Sequence, residues 1–233
     1  DASHPDIAAS LHAVGDVYSR KGLYDEALAS YESSLHMRRE AHGGADASHP
    51  DIAASLHAIG NVYSRKGLDD EALVSYESSL RMRREAHGGA DASHPDIAVS
   101  LHAIGNVYSR KGLYDEALVS YESSLRMRRE AHGGADASHP DIASSLHAIG
   151  NVYCSKGLYD KALESHESSL RMRREAHGGA DASHPDIACS LHAIGNVYSR
   201  KGLYDKALVS FESSLRMLRV FCTQWECHSK LSV

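Results

Sequence analysis

The chain has 233 residues, with 31 Asp and Glu against 25 Lys and Arg, a formal net charge of −6 and a hydrophobic fraction of 42%. This mildly acidic balance excludes a general electrostatic affinity for nucleic acid, and no apolar run approaches the ~18 residues of a membrane span. Four cysteines without a framework (Cys154, Cys189, Cys222, Cys227) argue for a reducing, cytoplasmic compartment and against a disulfide scaffold. No signal peptide is read at its start, and because it opens on Asp1 rather than Met, further domains of a longer chain are expected.

The motif DASHPDIA begins at Asp1, Asp46, Asp91, Asp136 and Asp181, a constant spacing of 45 residues. It divides the chain into units 1–45, 46–90, 91–135, 136–180 and 181–220, followed by a divergent tail, 221–233. A fixed period of this size marks a stacked repeat architecture. In unit three, Ser93 with Asp96 predicts a capping box and Pro95 a first helical turn. Ile97, Leu101, Ile104 and Tyr108 then fall on one helical face, and Lys111-Gly112 ends the helix. A second helix is predicted from about Tyr114 to His132. Its packing stripe is Ala117, Leu118, Tyr121, Ser124 and Leu125, and Gly133-Gly134 stops it. Each unit is therefore an αα-hairpin that must stack on its neighbours to bury its apolar faces. In the tail, Leu218, Val220, Phe221 and Trp225 predict an apolar face that folds back as a cap.

Leu101-x2-Ile104-Gly105-x2-Tyr108 followed by Ala117-x3-Tyr121 resembles the tetratricopeptide repeat. The unit is longer than the usual form of about 34 residues, and with HPD opening each copy it is similar to the repeats of the kinesin light chain and nephrocystin-like group. The resemblance implies an all-α fold, a right-handed α-solenoid of five 45-residue helix-turn-helix repeats with the first helices lining a concave surface. The small residues Gly105 and Ala117 are expected where the two helices cross. The sequence departs from the pattern with Arg39, Arg84, Arg129, Arg174 and Arg219 in place of the terminal Pro. Asp69 and His166 stand at aromatic positions of core-type spacing, which predicts looser packing in units two and four.

At ~100° per residue, Val99, His102, Asn106 and Ser109 fall opposite the core face. The corresponding pairs are His12/Asp16, His57/Asn61, His102/Asn106, His147/Asn151 and His192/Asn196. An Asn side chain donates and accepts at once, which suits the backbone of an extended peptide, and the resemblance puts these residues on the groove wall. One position beside them changes from unit to unit: Ala9, Ala54, Val99, Ser144, Cys189. The candidate site is thus Asp16, His57, Asn61, Val99, His102, Asn106, Ser144, His147, Asn151, Cys189, His192 and Asn196. The plain alternative is a solvated helix face copied by duplication. The five imidazoles would titrate near pH 6.5 and make the groove pH-sensitive. The RMRRE segments complement the helix dipole or form a basic ridge for an acidic partner.

Other chemistries find little support. Neither HExxH nor paired CxxC spacing occurs, and Cys222, Cys227 and His228 lack a fourth ligand, so no metal or other cofactor is expected. No phosphate loop is present, and Ser, His and Asp recur on exposed faces without a singled-out nucleophile or base, so the chain is not expected to be an enzyme. The expected function is a non-catalytic scaffold binding a protein or extended peptide, with no role for nucleic acid or membrane. The alternatives are a regulatory, sensor or cargo-adaptor arm of a larger protein, such as a nucleotide-driven switch or a kinesin-type complex, and a self-associating array.

Overall fold

Every first helix of the chain begins on a histidine. In the computed structural model, which describes residues 4–44, 47–89, 92–134, 138–179 and 182–230, the N-caps are His4, His49, His94, His139 and His184. The Nδ1 atom of each accepts the backbone N–H two residues on, at 3.2 Å. The capping box expected on Ser93 is therefore displaced by one residue: the imidazole of His94 supplies the lone pair. The preceding serine serves tertiary structure instead, with Ser48 Oγ and Ser183 Oγ donating to the Met82 and Met217 carbonyls.

Ten helices follow among the described residues: α1 Pro5–Arg20, α2 Tyr24–Ala41, α3 Pro50–Lys66, α4 Asp69–Ala86, α5 Pro95–Arg110, α6 Tyr114–Ala131, α7 Pro140–Ser155, α8 Tyr159–Ala176, α9 Pro185–Arg200 and α10 Tyr204–Lys230. They pair as five helix-turn-helix repeats, and the turn is made by a glycine in the left-handed region, as at Gly112 with φ +75°. The fold is all-α, of the repeat class expected, and no described helix is long and apolar enough to cross a membrane. The chain packs as two compact units, residues 1–127 and 128–233.

Within a repeat the helices are joined by three contacts. Ile97, Ile104 and Val107 bury one face of α5, and Ala117, Tyr121 and Leu125 that of α6. Gly105 abuts the Tyr121 ring so closely that a Cβ would lie 2.7 Å from it. The glycine is thus required by the second-helix aromatic, and the same distance recurs at Gly15, Gly60, Gly150 and Gly195. Ser124, fully buried, donates to the Ala98 carbonyl at 2.7 Å, so this member of the packing stripe is a hydrogen-bonding strut.

Between repeats, an arginine near the end of each second helix reaches into the next first helix. Arg38 donates to the Asp51 carbonyl at 2.7 Å and to Ser55 Oγ at 2.9 Å. Arg83, Arg128 and Arg173 repeat the pattern on Asp96 and Ser100, Asp141 and Ser145, and Asp186 and Ser190. Part of the basic ridge is consequently buried seam rather than display surface. Asp69 also departs from the sequence expectation: it sits at the half-buried start of α4 and pairs with Arg110 at 2.6 Å, outside the core. His166 does lie in the core, 1% exposed.

The tail does not turn back within the described helix, since α10 runs on to Lys230, and Leu218 and Val220 stay exposed. Phe221 meets the His184 ring edge-on at 5.9 Å. The side chains of Trp225, Cys227 and His228 lie outside the described residues.

The seam arginine leads to a measurable asymmetry. Arg173→Ala strands the fully buried Ser190 hydroxyl and should cost about 2–3 kcal/mol, whereas Ser190→Ala should cost about 1 kcal/mol. Urea-denaturation midpoints of the two variants measure the difference.

Candidate functional site

The residues opposite the core face of each first helix do not all point freely to solvent. Each histidine of the column lies against the aromatic or imidazole ring of its own second helix. The ring centroids are 5.0 to 5.2 Å apart for His12–Tyr31, His57–Tyr76, His102–Tyr121, His147–His166 and His192–Phe211. These imidazoles are packing elements, a role that helical spacing alone did not assign. Burial, reinforced by Arg83 for His57 and by Arg173 for His147, lowers both to a pKa of about 4. Titration near pH 6.5, expected from the sequence, does not apply to these two.

The asparagine column divides in two. Tyr31, Tyr76 and Tyr121 donate their hydroxyls to Asp16, Asn61 and Asn106 at 2.6, 2.7 and 2.6 Å. In the fourth and fifth repeats the tyrosine is replaced by His166 and Phe211, so among the described residues exposed Asn151 and Asn196 keep both halves of their amides available. The signal was present in the sequence, fifteen positions downstream of each Asn, but its meaning depended on knowing that the phenol reaches back.

Asn151 and Asn196 line one cavity of about 450 Å³ with Cys154, Ser155, His166 and Arg200. Neither ring nitrogen of His166 has a hydrogen-bond partner among the described residues, and burial beside His147 and Arg173 lowers its pKa to about 3. Arg200 is the counterpart of Arg110, which is held by Ser64 Oγ at 2.8 Å and by Asp69. The repeat before it offers Cys154 and Tyr159 at those positions, which leaves the guanidinium without an ion-pair partner among the described residues. Three departures of repeat four, Cys154, Ser155 and His166, thus surround one cavity.

The variable column is exposed or half-buried. Val99 is exposed, Ser144 Oγ donates back to the Pro140 carbonyl at 3.0 Å, and Cys189 Sγ lies 3.9 Å from His147 Nε2. Cys154, Cys189 and Cys222 are free thiols.

One grouping escaped sequence reasoning. His42, His49 and Asp51 bring their ligand atoms within 4.8 Å of one another, as do His87/His94/Asp96, His132/His139/Asp141 and His177/His184/Asp186. The two imidazoles of each group stack at 3.5 to 3.6 Å. The donor set would suit a divalent transition metal. Against that, the second imidazole already uses its lone pair as the helix cap, and the helix N-terminus opposes added positive charge. Parallel rings would also have to splay to aim two lone pairs at one ion.

The tetratricopeptide repeat family pattern matches residues 6–85, 51–130 and 141–219. No curated protein matches the chain. Among solved structures, BtubC (BKLC) from P. vanneervenii is similar with a TM-score of 0.74 at 20% identity, over 93% of this chain and 82% of that one. A putative kinesin light chain from Podosopora anserina, with nearly identical TPR-like repeats, gives 0.73 at 21% identity over 92% and 96%. YrrB, a TPR protein with an unusual peptide-binding site, gives 0.53 at 17% identity over 89% and 84%. These likenesses establish the fold.

The lowered imidazoles fix a direction for pH dependence. An unfolded histidine takes up its proton near pH 6.5, while His57 and His147 do so near 4. Between those values the unfolded chain holds more protons, so stability falls as pH drops. The expected loss is on the order of 2 kcal/mol per imidazole, discounted for partial exposure. Urea midpoints at pH 7 and pH 4.5 measure it, and a His57→Gln/His147→Gln variant should lose that part of the slope.

Proposed function

The chain belongs to the tetratricopeptide repeat family, whose members are in general protein-interaction scaffolds, and on that premise we propose that it is a non-catalytic scaffold binding an extended peptide segment of a partner protein. The observation that carries the reading is the pair Asn151 and Asn196, both free of a tyrosine hydroxyl and both on the cavity that Arg200 borders. An asparagine amide with donor and acceptor free can pair with a peptide N–H and C=O together, as a neighbouring strand would. Arg200 supplies a forked cation for an acidic side chain of the ligand. Asp16, Asn61 and Asn106 have already committed an oxygen to tyrosine, so they contribute less. His57, His102, His147 and His192 hold the rings beneath the wall, while Val99, Ser144 and Cys189 vary its lining.

Partner capture from lysate, followed by affinity measurement on the captured peptide segment, tests the reading. Asn151→Ala/Asn196→Ala should weaken binding about tenfold or more with the thermal midpoint nearly unchanged, since each lost hydrogen bond is worth about 0.5–1.5 kcal/mol. His166→Tyr should do the same by returning a hydroxyl to Asn151. Asn61→Ala/Asn106→Ala should chiefly lower the thermal midpoint. If all four proteins keep the same partners at equal strength, the reading is wrong.

A further inference from the structure

In the fourth and fifth repeats, the chain covers one of its own tyrosines with a lysine. Lys161 Nζ lies over the Tyr153 ring at 5.6 Å from its centroid, and Lys206 Nζ over Tyr198 at the same distance. The equivalent lysine position in the third repeat is Glu116, eight residues after Tyr108. There the ring is left without its cation and borders an open, largely apolar cavity of about 460 Å³, floored by Leu80, Leu101 and Ile104 and rimmed by Glu77 and Glu116. Tyr108 donates its hydroxyl to Glu77 at 3.4 Å. Burial, with Glu77 and Glu116 adding negative charge against the opposing effect of Lys111, raises the phenol's pKa above its usual value.

We propose that the cavity beside Tyr108 is a docking site for a lysine or arginine side chain of a partner protein, taking the place that the chain's own Lys161 and Lys206 occupy in the later repeats. The occupant follows from three features. The ring face attracts a cation, the more so where the site is shielded from water. The carboxylates of Glu77 and Glu116 add a charge complement that repeats four and five lack at the lysine position. The apolar floor matches the methylene stem of a long basic side chain, which lies along apolar surface while its charged end stays at the rim. This site lies within residues 1–127 and stands independently of the Asn151/Asn196 reading.

The internal comparison also supplies the test. Glu116→Lys installs the residue that repeats four and five already tolerate, so it is expected to fold and to fill the site from within. Fluorescence anisotropy of labelled hexalysine on the full chain, at physiological ionic strength, reads the binding. The wild type should bind hexalysine and not hexa-Nε-acetyllysine. Glu116→Lys should weaken binding about tenfold, and Tyr108→Leu, which leaves the charge unchanged, about threefold. Glu40→Lys, an equal charge change on α2 outside the cavity, should weaken it less than about twofold, because exposed charges are screened. Lys161→Glu/Lys206→Glu should strengthen binding by opening two more rings. The proposal is overturned if hexalysine does not bind, if Glu116→Lys and Glu40→Lys weaken it equally, or if Tyr108→Leu leaves it unchanged.

Discussion

A buried or half-buried guanidinium holds each repeat to the next. Arg38, Arg83, Arg128 and Arg173 end their reach on a backbone carbonyl and a buried serine in the first helix that follows. Burial lowers the pKa of Arg83 and Arg128, a sign of the desolvation that this placement costs. The rigid fork of arginine serves two acceptors from one Nη1, which a lysine's single ammonium on a flexible stem reproduces poorly. Since an isolated αα-hairpin cannot bury its apolar faces, this contact and the isoleucines around it determine which faces remain exposed.

The five copies also act as an internal substitution series. Where the second-helix aromatic is tyrosine, the preceding Asn or Asp is tied; where it is His166 or Phe211, the Asn is released. Where Glu116 becomes Lys161 or Lys206, a tyrosine ring gains a cation. Each change leaves the glycine–ring contact intact, because a Cβ on Gly150 or Gly195 would lie 2.7 Å from His166 or Phe211, as one on Gly105 would from Tyr121. Function can therefore vary between repeats while the packing rule holds.

Much of the fold was legible in the sequence. The 45-residue period, the four-three-four spacing of Ile97, Leu101, Ile104 and Tyr108, and the glycine stops fixed helix number and pairing. The candidate site was legible only in part. Helical angles separated His102 and Asn106 from the core stripe but could not show that the second helix leans over them, because periodicity describes one helix at a time. The same limit hid the His-His-Asp groups, whose members come from two successive repeats, and mistook Asp69 for a core residue when its partner, Arg110, lies a repeat away. Ser93 gave way to His94 as the cap because an imidazole nitrogen can accept a backbone N–H as a hydroxyl oxygen does, an option the usual cap preferences understate.

The seam is also degenerate. Arg38 would find in Asp96 and Ser100, or Asp141 and Ser145, the same acceptors that it finds in Asp51 and Ser55. Nothing in the chemistry of the contact tells one first helix from another, so the choice of neighbour rests on the short connection between successive helices. During synthesis that connection gives the correct helix a large head start, since closing a short loop costs far less entropy than closing a long one. The arrangement exchanges sequence-specific docking for order of emergence: a repeat is recognised by when it arrives rather than by what it is.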